Sequence, residues 1–173
     1  MPAVLCVRAY IERALAFPQL AGCNSHWETW FYDEDYVRLR FVTAPADWPD
    51  AEQGRVAEVV FEPAEFASFG LDETYPDWRG YSRLQLTIFD PDDTDLTAFI
   101  RVQDRLHNQE YNDRYNSSFR LHPGKNVVSF PLAEIVAAPA GRRMDLSRMS
   151  SLAVFLAQPA RPETLYIDDI RLR

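Results

Sequence analysis

Through most of this chain apolar and polar residues alternate with a period of two. In Tyr36–Thr43, Val37, Leu39 and Phe41 point one way and Tyr36, Arg38 and Arg40 the other, the pattern of a strand with one buried face. Ser82–Phe89 sets Leu84, Leu86 and Ile88 against Gln85 and Thr87, and Leu96–Val102 sets Leu96, Ala98, Ile100 and Val102 against Thr97, Phe99 and Arg101. On its polar side Phe99 is placed to floor a groove. Arg55–Phe61, Ser118–Leu121, Asn126–Phe130, Ser151–Ala157 and Thr164–Leu172 read as further strands, and the aromatic run His26–Tyr32 as the first. Turn residues separate them: Asp90–Asp95 is an acidic turn, and His122-Pro123-Gly124-Lys125 closes a hairpin. The 44–54 and 137–149 segments read as loops, and Glu62–Gly80 keeps no steady period.

Helical spacing occurs over residues 4–16, where Pro18 ends it; Pro131–Val136 reads as one helical turn. Many short alternating strands predict an all-β fold, an antiparallel β-sandwich of the jelly-roll kind with a short N-terminal helix. The expected division is residues 1–23 as helix or signal segment and 24–173 as the sandwich. No βαβ alternation, Gly-rich phosphate loop or internal repeat is present, so nucleotide-binding Rossmann and P-loop functions are excluded.

The composition narrows the partners. The 173 residues are 47% hydrophobic and 13% aromatic, with 18 basic and 26 acidic side chains and a net charge of −8. No basic cluster exists, which argues against nucleic acid. No apolar run approaches a membrane span. Leu20–Cys23 spells LAGC, a lipoprotein lipobox, but Glu12 and Arg13 leave too short an apolar stretch before it. A cell-envelope location, periplasmic or lipid-anchored, is favoured over the cytoplasm. Cys6 and Cys23 do not make a disulfide framework.

The chemistry concentrates in residues 101–119, RVQDRLHNQEYNDRYNSSF. A polar, aromatic connection between two apolar strands is where a rigid β scaffold carries a binding surface. Aromatic side chains offer flat apolar faces to a ligand, and planar polar groups offer it paired hydrogen bonds. Trp48, Tyr75, Trp78, Tyr111 and Tyr115 are the available aromatics; Arg101, Asp104, His107, Asp113, Arg114 and Asn116 are the polar partners. The ligand set drawn from these is Tyr75, Trp78, Arg101, Asp104, His107, Tyr111, Asp113, Arg114 and Asn116. The competing reading is a brace, in which Asp104 or Asp113 pairs with Arg105 or Arg114 to fix a long loop.

Five segments, DWRGYSRL at 77–84, IRVQDRLHNQEYNDRYN at 100–116, PGKNVVSFPLAEI at 123–135, APAGRRMDL at 138–146 and LYIDDIRL at 165–172, together resemble the soluble C-terminal domain of VanZ-like bacterial proteins. More distantly, they are similar to jelly-roll carbohydrate-binding modules with a galactose-binding-domain-like fold. The resemblance implies a β-sandwich that binds a cell-envelope or extracellular glycan without catalysis. It also implies a structural calcium between Glu28 and the pair Asp168-Asp169, since hard oxygens from separated strands suit that ion. A structural or protein-interaction sandwich with an envelope protein partner is the second reading.

A small hydrolase is the third reading, and it has the least support. No G-x-S-x-G elbow is present, and His26, His107 and His122 lack metal-ligand spacing. No carboxylate pair is marked out for glycoside cleavage. The chain is therefore read as a non-enzyme.

Overall fold

The computed structural model describes residues 2–48 and 54–173; Pro49 and the rest of the 44–54 loop's middle lie outside the described residues. Two antiparallel sheets face each other, as the alternation predicts. The strands are β1 (Gln19–Ala21), β2 (Tyr32–Asp35), β3 (Val37–Thr43), β4 (Arg55–Phe61), β5 (Phe66–Asp72), β6 (Arg83–Asp90), β7 (Leu96–Asp104), β8 (Tyr115–Leu121), β9 (Gly124–Pro131), β10 (Met149–Ala157) and β11 (Glu163–Leu172). The first sheet runs β3-β4-β11-β6-β9, with β1 also paired to β11; the second runs β2-β5-β10-β7-β8. Helix α1 is Pro2–Ala16 and helix α2 is Leu132–Ala137.

The inner faces meet in one core. Val59, Leu86, Ile88 and Ile167 from the first sheet pack against Phe69, Ile100, Leu152 and Val154 from the second. Trp78 and Trp48 are each no more than 1% exposed. Trp78 sits in this core, and its Nε1 donates to the Tyr75 carbonyl at 2.8 Å. Trp48 stacks on Phe89 with centroids 5.4 Å apart, against the opposite side of the first sheet. Tyr75 stacks on Phe17 at 4.1 Å, also against the core. Burial is the commoner fate of these amphipathic rings; it removes Trp78 and Trp48 from any binding surface, while the half-buried Tyr75 is held against Phe17 and does not line the groove on the second sheet.

Three segments differ from expectation. His26–Tyr32 is not a strand: Glu28–Phe31 forms a 3-10 turn, and β2 begins only at Tyr32. The cause is Glu28, whose two buried oxygens collect the backbone N–H groups of Gly22, Cys23, Asn24 and Ser25 and curl the chain back. The aperiodic stretch 62–80 contains β5, whose residues Ala67–Leu71 are all buried. Ser68 and Gly70 take the outward positions there, so no polar alternation marks the strand. Nearly half of residues 101–119 is strand, because β7 runs to Asp104 and β8 starts at Tyr115. Only 105–114 connects them.

The segment before residue 24 is joined to the sandwich. Gln19 and Ala21 pair with β11, and Leu20, Ala21 and Cys23 of the LAGC run are core residues. Helix α1 docks through buried Ala9, through the Tyr10 ring set edge-on to Phe31 at 5.2 Å, and through Arg13 lying over both rings. Its apolar residues Val4, Leu5, Val7, Ile11 and Leu15 are exposed, so the helical spacing read from the sequence does not mark a buried face here.

Candidate ligand groove on the second sheet

The outward face of the second sheet carries a cavity of about 590 Å³ lined by residues of β2, β5, β10 and β7 and by the 105–114 connection. Register places its parts. Phe155 on β10 lies opposite Phe99 on β7 and Ser68 on β5, and Ser68 lies opposite Asp35 on β2. Phe99 and Phe155 stack at 5.3 Å, and Phe66 meets Phe155 edge-on at 6.0 Å. These rings form an apolar ridge across the strands, and Phe66 is 52% exposed. Phe99 backs this ridge through its stacking on Phe155 and is not one of the residues that line the cavity.

Two residues along each strand lies the next row: Asn116, Arg101, Ala153, Gly70 and Asp33, on β8, β7, β10, β5 and β2 in turn. Arg101 pairs with Asp33 at 3.8 Å, although their strands are three spacings apart, about 14 Å. The guanidinium therefore passes over Ala153 and Gly70. This is possible because the floor is low. A Cβ on Gly70 would lie 3.0 Å from the Leu152 carbonyl oxygen and 3.1 Å from the Ala153 Cβ.

The two rims carry opposite charge. Asp33, Glu34 and Asp35 line the β2 side, and Arg101 and Arg114 the β7–β8 side. Partial burial, and secondarily the Asp33 charge, raises the Glu34 carboxyl above its usual range. Partial burial, then the nearby Arg101 charge, lowers Arg114. Arg114 lies 5.5 Å from the centre of the exposed Tyr111 ring, and its Nε donates to Asn116 Oδ1 at 2.9 Å. Asn116 Nδ2 in turn donates to the Tyr111 carbonyl at 2.9 Å. The Ser68 hydroxyl, in the same cavity, is buried and without a hydrogen-bond partner among the described residues.

The connection 105–114 is fixed from behind. Arg142 forks onto Asp104, with Nη1–Oδ2 at 2.7 Å and Nη2–Oδ1 at 2.9 Å. It also binds both carboxylate oxygens and the carbonyl of Asp113. Asp104 further accepts the Asp145 and Leu106 N–H groups, and Asp113 the Asn108 N–H. His107 Nδ1 lies 3.1 Å from the Asp113 carbonyl oxygen. Arg142 holds the Asp113 carboxyl below the ordinary carboxylate range, and the two carboxylates hold Arg142 above its own.

The predicted loop set is thus divided. Arg101, Tyr111 and Arg114 line the groove, with Asn116 supporting them. Asp104, His107 and Asp113 brace the loop, and the cation they use is Arg142, not Arg105 or Arg114. Sequence reasoning missed Phe66, Ser68, Phe155, the Asp33–Asp35 rim and Arg142. The signal for Phe155 was present: in Ser151–Ala157 it alternates with Leu152, Val154 and Leu156.

The residues expected to hold calcium, Glu28, Asp168 and Asp169, lie on the 3-10 turn before β2 and on β11. Both Glu28 oxygens face N–H donors, and Asp169 accepts from Gln19 Nε2 at 2.7 Å and from Arg171 Nε. Asp168 is buried beside it. Oxygens already facing N–H hydrogens do not offer the shell of six to eight ligands that calcium takes. Among the described residues no group of three or more His, Cys, Asp or Glu is arranged to hold a metal ion. With their oxygens so engaged, Glu28 and Asp169 do not offer a calcium shell in this arrangement.

Comparison with solved structures fits this architecture. The chain superposes on a family 11 carbohydrate-binding module from Clostridium thermocellum, solved with a beta-1,3-1,4-mixed-linked tetrasaccharide, with a TM-score of 0.65 and 11% identity over 89% of this chain and 93% of that one. It has the jelly-roll fold of carbohydrate-binding modules. A CBM28 module specific for non-crystalline cellulose superposes with a TM-score of 0.62 at 8% identity, covering 91% of this chain and 93% of that one. An exo-beta-agarase superposes with a TM-score of 0.67 at 12% identity over 90% of this chain, which spans 24% of that enzyme's chain. No protein-family model and no curated protein matches, so the likeness to VanZ-like domains rests on the five sequence segments alone. No helix among the described residues is long and apolar enough to cross a membrane.

Proposed function

We propose that this protein is a non-catalytic glycan-binding module whose site is the groove on the outward face of the second sheet. The observation that carries the reading is the aromatic ridge Phe66–Phe155–Phe99, flanked by a carboxylate rim and a guanidinium rim. Rings give the C–H faces of a pyranose an apolar platform, and forked side chains on either side bind neighbouring hydroxyls. Carboxylates accept from hydroxyls and guanidiniums donate to them, so both edges of a sugar chain find partners. The site spans three strand spacings from β2 to β7, about 14 Å, which accommodates a short run of sugar rings. Fold alone does not assign function, but the folds it resembles include a module solved with a tetrasaccharide and one specific for non-crystalline cellulose. An envelope or extracellular setting is where such a ligand is met.

A glycan-array screen of the purified protein followed by calorimetry tests the reading. A binding glycan should lose most of its affinity to Phe155→Ala and part of it to Tyr111→Ala, in proteins that stay folded. No binding to any glycan at millimolar concentration sinks the reading. It would favour the structural or protein-interaction alternative, in which 101–119 serves only as a brace.

A further inference from the structure

Beside the groove, on the same face, lies a second hollow of about 610 Å³. It is built one row beyond Arg101, where Gln103, Ser151 and Asp72 lie opposite one another on β7, β10 and β5. Trp30, 52% exposed, stands at its β2 end, and Arg105 at its β7 end. Among the described residues no carboxylate forms an ion pair with Arg105, and the Gln103 amide makes no hydrogen bond. An aromatic ring, two planar donors and an acceptor carboxylate therefore converge on a hollow that the proposed function does not use. Burial, then the neighbouring Asp33 charge, raises the Asp72 carboxyl.

The relation of the two hollows decides what they can hold. Both run across the strands, from β2 to β7, and lie side by side with their floor rows four residues apart, about 13 Å. Between them runs the Arg101–Asp33 pair over Gly70 and Ala153. The aromatic ridge also runs across the strands, so a chain stacked on it lies parallel to this partition. Such a chain reaches the second hollow only sideways. The partition itself is weak: its ion pair is 3.8 Å long with both side chains about two-fifths exposed, a kind of pair that contributes little. Hydroxyls offered to Arg101 and Asp33 replace it readily.

We infer that the second hollow is a branch subsite, and that the ligand is a branched oligosaccharide. Its main chain lies on the aromatic ridge, and an uncharged side unit of one or two sugars crosses at Gly70–Ala153 into the space between Trp30, Gln103, Arg105 and Asp72. The inference rests on the glycan reading of the first groove.

The test is calorimetric titration with matched linear and singly branched oligosaccharides of the glucan, mannan, xylan and galactan series. On whichever backbone binds, the branched form should bind about tenfold more tightly, the worth of one added stacked ring with its hydrogen bonds. Trp30→Ala and Gln103→Ala should each bring the branched ligand down toward the linear one and leave the linear ligand unchanged. Phe155→Ala should weaken both. Equal binding of linear and branched forms, or equal weakening of both by Trp30→Ala, overturns the branch subsite and leaves the first groove standing. No binding in any series overturns the glycan reading and the subsite together.

Discussion

Arg142 is the side chain on which the position of Tyr111 and Arg114 depends, and its removal gives a large, specific effect. Its guanidinium holds Asp104, whose side chain is 0% exposed, and Asp113, 7% exposed. Deleting one partner of a buried pair leaves uncompensated charge behind, at a cost of about 3–5 kcal/mol. For a chain of this length, each kcal/mol moves Tm by about 2–4 °C. Arg142→Met, which keeps the aliphatic stem, should therefore lower Tm at pH 7 by roughly 6–20 °C, measured by circular dichroism.

The pH dependence has a definite sign. The Asp113 carboxyl is depressed in the folded state by its hydrogen bonds to Arg142, so its stabilisation is present above the unfolded pKa near 4 and is lost as pH falls through the lower folded value. The gap between wild type and Arg142→Met should narrow below about pH 4. Arg142→Met with Asp104→Asn and Asp113→Asn should recover part of the lost stability, because the orphaned charges are gone. A drop under about 2 °C at pH 7, or a gap that widens in acid, would refute the brace.

Other perturbations separate the remaining parts. Gly70→Ala puts a methyl 3.0 Å from the Leu152 oxygen and 3.1 Å from the Ala153 Cβ; urea unfolding should show a loss of about 1–3 kcal/mol from overpacking. Glu28→Gln turns an amide NH₂ toward backbone N–H donors now facing an oxygen, and should cost about 1–3 kcal/mol per orphaned group in the same assay. Calcium and chelator should leave Tm unchanged, since the Glu28 and Asp169 oxygens are engaged by N–H donors; a clear rise on adding calcium would show that the ion binds the native state. Phe155→Ala should lower Tm less than a core truncation does, because the ring is only half-buried on the outward face, while ligand binding loses most of its affinity.

Period-two alternation revealed the two-sheet architecture because one face of most strands is buried and the other wet. It failed at β5, where an outward face of Ser68 and Gly70 is too small and too covered to contrast with the core. It failed again at 26–32, where one carboxylate gathering four N–H groups outweighs the strand preference of aromatic residues. The site was half legible. Arg101, Tyr111 and Arg114 stand in a dense polar run that stands out locally. Their partners Asp33, Phe66 and Phe155 come from strands distant in sequence, and only the β2-β5-β10-β7 order brings them together. Trp78 stands directly before a strand, which favours core packing, and it satisfies its indole N–H on the Tyr75 carbonyl and so is buried whole; Trp48 and Tyr75 sit among loop residues, where the sequence does not decide between core and surface.

The claim that the second sheet's outward face is the binding surface is tested most directly by an amide-resolved NMR titration with a glycan from the array screen. The account predicts that Ser68, Gly70, Arg101, Ala153 and Phe155 shift together and saturably, while the outward residues of the first sheet stay still. Shifts confined to the first sheet or to helix α1, or none at millimolar glycan, would contradict it.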